Sequence, residues 1–411
     1  MDAGEAHGGP LAGVTVLDVT TTLLGPYCTL QLAQFGATVV KVESLSGDIG
    51  RQLTPGRSPD MSGLHLSLNR GKMSLAIDLK VPQARQALDS VVAGADVVVH
   101  NMRRRAAEHL HLDYESVRRI RPDVVHCAAY GFDVGGPYAE RPAYDDIIQA
   151  AAGVATLQAN VAGAPAYFSS AVVDKLCGVV ATSAICAALF ERRSTGRGQE
   201  IVVPMFETMA AFLLVEHLAD ATFVPELGPP GYPRVLSPYR NPYRTLDGYI
   251  SVLLYTDEHW KRFFMAVEGE HPVDDPRFTS ASGRAAHIDE VYGYIEPLFA
   301  TRTTDDWMAA LQAADVPCAR VAGLDDLLHD PQLEAVGLFE HSEHPTEGMT
   351  RQPRLATSFG NHRGPSGLPP APRLGEHSVA VLRQFGVPDG LVDELVATGA
   401  VVQAAIPTTT T

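Results

Sequence analysis

The run Val14-Thr15-Val16-Leu17-Asp18-Val19, then Gly25-Pro26 and apolar positions through Leu30 and Phe35, then Gly36 and Thr38-Val39-Val40-Lys41-Val42-Glu43, decides the fold. Two short β-branched runs of this kind are buried strands, because a strand covered on both faces needs no polar alternation. Between them the Gly-Pro pair opens a helix and Gly36 stops it. Strand, helix and strand make one βαβ unit, whose crossover joins parallel neighbours. Working outward, the same texture predicts strands at Ser74 to Leu79, Asp96 to Val99 and Asp123 to Ala128, with helices at Gln83 to Val92 and Tyr114 to Ile120. This is an α/β fold with a doubly wound sheet. Such sheets take ligands beyond the carboxyl ends of their strands, which singles out Thr20 to Pro26, Asn101 to Arg105 and Tyr130 to Asp146.

Farther along, Asp174-Lys175-Leu176-Cys177-Gly178 opens a long apolar helix that runs through Leu189 and Phe190 to a basic, glycine-broken stop at Arg192 to Gln199. Asp before an apolar helical run is most often an N-cap. The helix dipole and the unpaired N–H groups at that end are expected to hold the carboxylate ionised, which suits an anionic nucleophile. A strand at Glu200 to Pro204 and a helix containing Met209 to Leu218 follow. Pro225 to Pro242 then carries six prolines and two glycines and reads as a linker. The expected organisation is a large domain whose first part is residues 1–224, a linker at 225–242, a smaller domain at 243–330, a return linker at 331–372, and a C-terminal part at 373–411 that packs on the large domain. Within the smaller domain Gly248 to Tyr255 reads as a strand and Val316 to Val321 as an edge strand. The tail Pro407 to Thr411 is expected to be disordered.

Composition narrows the partners. Among 411 residues 45% are hydrophobic and 19% charged, as in globular proteins, and the net charge of −16 argues against nucleic acid or an anionic membrane. An anionic ligand therefore needs a local basic pocket. Cys28, Cys127, Cys177, Cys186 and Cys318 are scattered and odd in number, so they read as reduced thiols of a cytoplasmic protein. The N-terminus lacks an apolar stretch, and the run Gly178 to Phe190 is short for a bilayer, so neither export nor membrane insertion is expected.

Familiar signatures for nucleotide, zinc-protease, serine-hydrolase and dinucleotide sites are absent. Glu43, at the end of the second strand, is placed to bind a ribose, although without the glycine fingerprint. His341 and His344 with Glu343 read as solvated loop residues rather than metal ligands. Arg103-Arg104-Arg105 follows a strand end, where phosphates bind in such sheets, but three arginines also suit a solvated helix start. Arg70, Lys72 and Lys80 surround the third strand and are candidates for a diphosphate. In Tyr144-Asp145-Asp146 the paired acids are either a cap and its neighbour or the electrostatic environment of Asp174.

Taken in order, Leu11 to Asp18, Gly25-Pro26-Tyr27, Gly36 to Glu43, Gly47-Asp48, Asn69-Arg70-Gly71-Lys72, Gly135-Gly136-Pro137-Tyr138, Arg141 to Asp145, Ser194 to Gln199, Asp275 to Phe278 and Ala371 to His377 resemble the family III CoA-transferases, the group of formyl-CoA transferase and carnitine CoA-transferase. The resemblance covers nearly the whole chain. It implies a Rossmann-like large domain made from both chain ends, a smaller α+β middle domain, and two ring-like subunits interlocked as a homodimer. It implies that Asp174 is the nucleophile, and that CoA lies along Leu23, Leu24, Ile77, Asp78, Leu79, Lys80, Asn101, Met102, Arg103, Ala143, Tyr144 and Asp145. The implied partners are an acyl-CoA and a free carboxylic acid, with CoA a substrate and no permanently bound cofactor. The chain departs from the family at Met102-Arg103-Arg104-Arg105, where the family usually has Phe-Arg-Pro-Gly, and at Ser44, often basic in relatives. The glycine-rich loop of formyl-CoA transferase has no counterpart, which weighs against formyl-CoA or oxalate as substrates. A 2-methylacyl-CoA racemase is the alternative within the superfamily, but Tyr144 stands where racemases carry a histidine, and a phenol with a pKa of about 10 is a poor base at neutral pH. A non-catalytic CoA-binding scaffold is the third reading.

Overall fold

Val16, Leu17, Val39 and Val40 are buried to within 1% of full coverage, as two strands covered on both faces require. The computed structural model describes residues 8–360 and 367–405. The expected disordered tail lies outside the described residues. β1 (Thr15–Val19), α1 (Leu24–Gln34) and β2 (Thr38–Glu43) make the expected unit. Then come β3 (Lys72–Ile77), α2 (Pro82–Ala93), β4 (Val97–His100), α3 (Tyr114–Ile120) and β5 (Val125–Tyr130). α2 buries Ala84, Ala87, Leu88, Val91 and Val92, one face at helical spacing. β3 ends two residues earlier than the apolar pattern predicts, because the Asp78 carboxylate accepts the Lys80 N–H at 3.0 Å and turns the chain out of the strand.

α4 (Asp145–Ala151), α5 (Val172–Thr195) and β6 (Gln199–Pro204) follow. The second unit then holds β7 (Tyr243–Arg244), β8 (Tyr249–Val252), α6 (Asp257–Ala266), α7 (Ile288–Phe299), α8 (Thr304–Ala313) and β9 (Cys318–Arg320). The chain returns through β10 (Phe339–His344), β11 (Gly348–Pro353), α9 (Ser378–Gln384), α10 (Asp389–Ala397) and β12 (Val401–Val402). Two compact units result, one from residues up to Ala152, Ser169–Ala210 and from Glu334 onward, the other from Gly153–Phe168 and Ala211–Leu333.

In the first unit the sheet order is β12-β3-β2-β1-β4-β5-β6. All its pairings are parallel except β12 against β3. The order reverses direction between β1 and β4, which is the switch point where such sheets bind ligands. One face carries a core in which Leu75, Leu88 and Val98 join Val381, Leu382, Val392 and Leu395 of the C-terminal helices. The strand pair β10 and β11 was expected to be linker, and it is tied to the sheet by Arg70, which pairs with Glu340 at 2.9 Å. His344 is a strand residue rather than a solvated loop histidine: it is 3% exposed, and its Nε2 meets the Ala371 carbonyl at 2.8 Å.

α5 is 24 residues long and, by length and composition, apolar enough to cross a membrane, so the shorter run read from the sequence underestimates it. Here it is a core helix that buries Val173, Cys177, Ala181, Ile185 and Ala188, and its last turn is anchored by Arg192, which pairs with Asp96 at 2.7 Å. All five cysteines are free thiols.

The second unit has its own aromatic core. Tyr243 stacks on Phe299 at 4.4 Å between ring centroids, and the indole N–H groups of Trp260 and Trp307 donate to the Leu254 and Phe299 carbonyls. Both tryptophans thereby satisfy their single polar group inside a dry core.

Candidate active site

The carboxyl ends of β1, β4 and β5 open on a cavity of about 290 Å³. Its walls come from the three segments singled out in the sequence: Thr21 to Leu24, Asn101 to Arg104, and Tyr130, Gly131, Ala143 and Tyr144. Asn101 locks the first two together, since its Oδ1 accepts the Thr21 N–H and its Nδ2 donates to the Thr21 carbonyl, each at 2.9 Å. Thr22 next in line has φ of +71°, a conformation costly for a β-branched residue. Asp48 holds it there by accepting its N–H at 2.9 Å, and Asp48 is itself paired with buried Lys41 at 3.1 Å.

Gly178 sets the position of Asp174. A methyl group there would lie 2.9 Å from the Leu24 carbonyl oxygen, so only glycine lets α5 cross α1 this closely. Asp174 lies one helical turn earlier on the same face, and it lines the cavity together with Leu23 and Leu24. It is not the helix cap. Ala171 occupies that position without a side-chain bond, and Asp174 is the third helical residue. Its backbone N–H is instead accepted by Asp145 Oδ1 at 3.0 Å. The expectation that the helix start keeps Asp174 ionised is therefore corrected. Burial first, and then the charges of Asp145 and Asp146, push its carboxyl up to about 7. Burial and two like charges outweigh whatever the dipole of α5 contributes.

Asp145 is buried and does not face the cavity; its other oxygen accepts the Gln149 amide. Ile77, Asp78, Leu79 and Lys80 sit at the end of β3, two strands away from β1 and outside this cavity. Arg103 and Arg104 line it, and so does Arg141, whose guanidinium lies 3.8 Å over the Tyr138 ring. Arg105 instead reaches Glu140 at 3.4 Å. The other cations do not reach a ligand. Lys72 is buried against Asp18 at 3.0 Å, with Thr29 and Asn69 completing its shell, and Arg70 belongs to Glu340. Burial alone would raise the Asp18 carboxyl, but Lys72 and Lys41 outweigh it and hold Asp18 well below the usual carboxylate range. Glu43 is equally committed, to Arg51 at 2.7 Å and to Ser74 at 3.0 Å, so it has no ribose to bind. Ile49 and Met205 complete the wall and carried no chemical signal in the sequence. Among the described residues no cluster suited to a metal ion occurs.

The chain is similar to known proteins over most of its length. The profile described as CoA-transferase family III matches residues 11–378. The succinate–glutarate CoA-transferase of Agrobacterium fabrum is 31% identical over 387 residues, covering 92% of this chain and 96% of that protein. The formyl-CoA:oxalate CoA-transferase of Escherichia coli O6:H1 is 29% identical over 414 residues, covering 94% and 98%. Among solved structures, a CAIB/BAIF family protein from Brucella suis superposes with a TM-score of 0.75 at 28% identity, over 92% of this chain and 99% of the other. Rv3272 of Mycobacterium tuberculosis superposes at 0.78 and 26% identity, over 91% and 99%.

Proposed function

The chain belongs to CoA-transferase family III, and from that premise we propose that it moves CoA from an acyl-CoA to a free carboxylic acid, with Asp174 as the nucleophile. The observation that carries the reading is the half-buried Asp174 carboxyl in the wall of the cavity at the sheet's switch point. A carboxyl that ionises near 7 is about half anionic at neutral pH and is more basic than an exposed aspartate. One oxygen of Asp174 attacks the thioester carbonyl carbon, the C–S bond breaks, and a mixed anhydride and CoA thiolate form. The thiolate attacks the Asp174 carboxyl carbon and releases the donor acid, leaving an aspartyl-CoA thioester. The acceptor carboxylate then attacks that carbon and expels the thiolate, which takes the new acyl group and frees Asp174. The thioester bond energy is conserved provided water is kept out while the anhydride exists.

Arg103, Arg104 and Arg141 supply the local positive charge that CoA phosphates need in a chain of net charge −16. The resemblance extends the CoA path to Ile77 to Lys80 at the end of β3. In this reading CoA is a substrate, no cofactor is resident, and two subunits interlock. Large apolar side chains at the surface of a single subunit, Phe190 at 80% and Val215 at 88% exposure, favour assembly. A cytoplasmic location completes the proposal. An α-proton shuttle of the histidine and aspartate kind would need a histidine beside Asp174, and among the described residues none lines the cavity.

The test is incubation with labelled acyl-CoA and a panel of carboxylic acids, followed by borohydride or hydroxylamine. Modification confined to Asp174, together with exchange of label into one of the acids, is expected. Absence of both adduct and exchange would overturn the reading, and deuterium wash-in at the α-carbon without acyl exchange would replace it with racemisation.

A further inference from the structure

We propose that the second unit carries a separate binding site for a small aryl or branched-alkyl carboxylate, centred on Arg234. The site is a cavity of about 230 Å³ lined by Tyr232, Arg234, Tyr255, Trp260, Arg284 and Tyr292, among others. The two arginines differ in how they are balanced. Arg284 is buried, pairs with Asp257 and donates to the Phe278 carbonyl. Arg234 has no carboxylate within ion-pairing distance among the described residues. Among the described residues its hydrogen bonds are long ones, from Nε to the Tyr232 hydroxyl at 3.3 Å and from Nη1 to the Tyr292 hydroxyl at 3.4 Å.

A guanidinium without a carboxylate partner is a local positive charge that an outside anion can meet, against the net charge of −16 of the whole chain. Both phenols accept from Arg234, so each O–H proton is left to donate elsewhere, and Nη2 has no partner among the described residues. Guanidinium and carboxylate are both planar and match two bonds at a time, which favours a carboxylate over a spherical anion. The remaining wall is apolar, with the rings of Tyr255 and Trp260 beside the aliphatic side chains of Pro233, Leu254 and Ile288. Trp260 is 2% exposed with its N–H already spent, and the Tyr232 and Tyr255 rings lie 5.6 and 5.5 Å from the guanidinium. Aromatic faces around one charged fork select an anion with an apolar body, and the volume suits about ten heavy atoms.

The experiment is titration calorimetry of the full chain with phenylacetate, with phenylacetamide as the neutral isostere and inorganic phosphate as the round anion, without acyl-CoA. Phenylacetate should bind, the amide and phosphate at least about tenfold more weakly. Arg234→Gln should lose about tenfold or more, Arg234→Lys should lose less, and Tyr255→Ala should weaken phenylacetate while leaving the melting temperature near that of the parent. Equal binding by Arg234→Gln with an unchanged melting temperature, binding of phosphate as tight as that of phenylacetate, or no heat with any probe would each overturn the proposal. None of these outcomes depends on Asp174, so the transferase reading stands or falls separately.

Discussion

Asp145 Oδ1 accepts the backbone N–H of Asp174 at 3.0 Å, so the group that orders the first turn of α5 is also a negative charge that opposes ionisation of the Asp174 side chain. One contact thus bears on both the position and the basicity of the proposed nucleophile, alongside burial and Asp146. Asp145→Asn keeps an acceptor oxygen but removes the charge. It is expected to lower the pKa of Asp174, moving the acid limb of the pH profile of kcat/KM to lower pH, while Asp145→Ala also loses the helix-start bond and about 1 kcal/mol of stability. An unmoved acid limb in Asp145→Asn would show that burial and Asp146 set the pKa without Asp145.

The raised pKa also fixes the sign of a stability effect. The folded value of about 7 lies above the ordinary 3.8, so the folded state binds the extra proton. The stability linked to that proton is fully present below about pH 4 and is lost as the pH rises through 7. Asp174→Asn should therefore be inactive yet more stable than the parent at pH 8, by roughly 2 to 4 kcal/mol, and equally stable near pH 4. Urea unfolding at the two pH values measures this, and a gain at both would point to packing rather than charge.

Gly178 is where packing controls the site. A β-carbon there would meet the Leu24 carbonyl oxygen at 2.9 Å and the Tyr27 ring at 3.1 Å. Gly178→Val is expected to push α5 away from α1, costing about 1–3 kcal/mol and lowering kcat more than it raises KM, because Asp174 moves and the arginines do not. Equal changes in kcat and KM would mean that the helix shift reaches the CoA wall as well.

Lys72 tests the difference between a ligand contact and a core contact. Lys72→Met should leave CoA affinity per folded molecule unchanged but destabilise by about 3–5 kcal/mol, since Asp18 is stranded with no charge beside it except Lys41. Adding Asp18→Val should recover part of that loss. A specific loss of CoA binding in the single variant would return Lys72 to the site.

For the CoA contacts, Arg103→Ala and Arg141→Ala should each raise the KM for acyl-CoA by about five- to twentyfold at nearly constant kcat, with a shallower dependence on salt. A fall in kcat alone would assign these side chains to the reacting carboxyls instead.

Local pattern was enough for the elements that are buried on both faces or periodic on one. β2 occupies the residues expected of it, Thr38 to Glu43, and α3 runs from Tyr114 to Ile120, as the alternation of strands and helices predicts. The three cavity segments were legible for the same reason, because in a parallel sheet the carboxyl end of each strand is known once the strand is known. The partners were not legible. β12 is two residues long and pairs antiparallel with β3 some 300 positions away in the chain, where no local periodicity can reveal it. Glu43, Arg70 and Lys72 have the composition of ligand-binding residues and are spent instead on Arg51, Glu340 and Asp18, since a buried charge must be met by whatever the fold brings beside it.

Local pattern carries the α/β alternation, the strand-end segments that line the crevice and the place of Asp174 near the start of a long apolar helix; the switch point itself follows from the strand order. Only the tertiary structure decided what that aspartate is. Asp145 is 29 residues earlier in the chain, and α4 brings it against the first turn of α5, where it accepts the Asp174 N–H and adds a like charge in a half-buried place. Local sequence predicts a helix dipole, but a pKa depends on which charges and how much water surround the group, and those are set by packing.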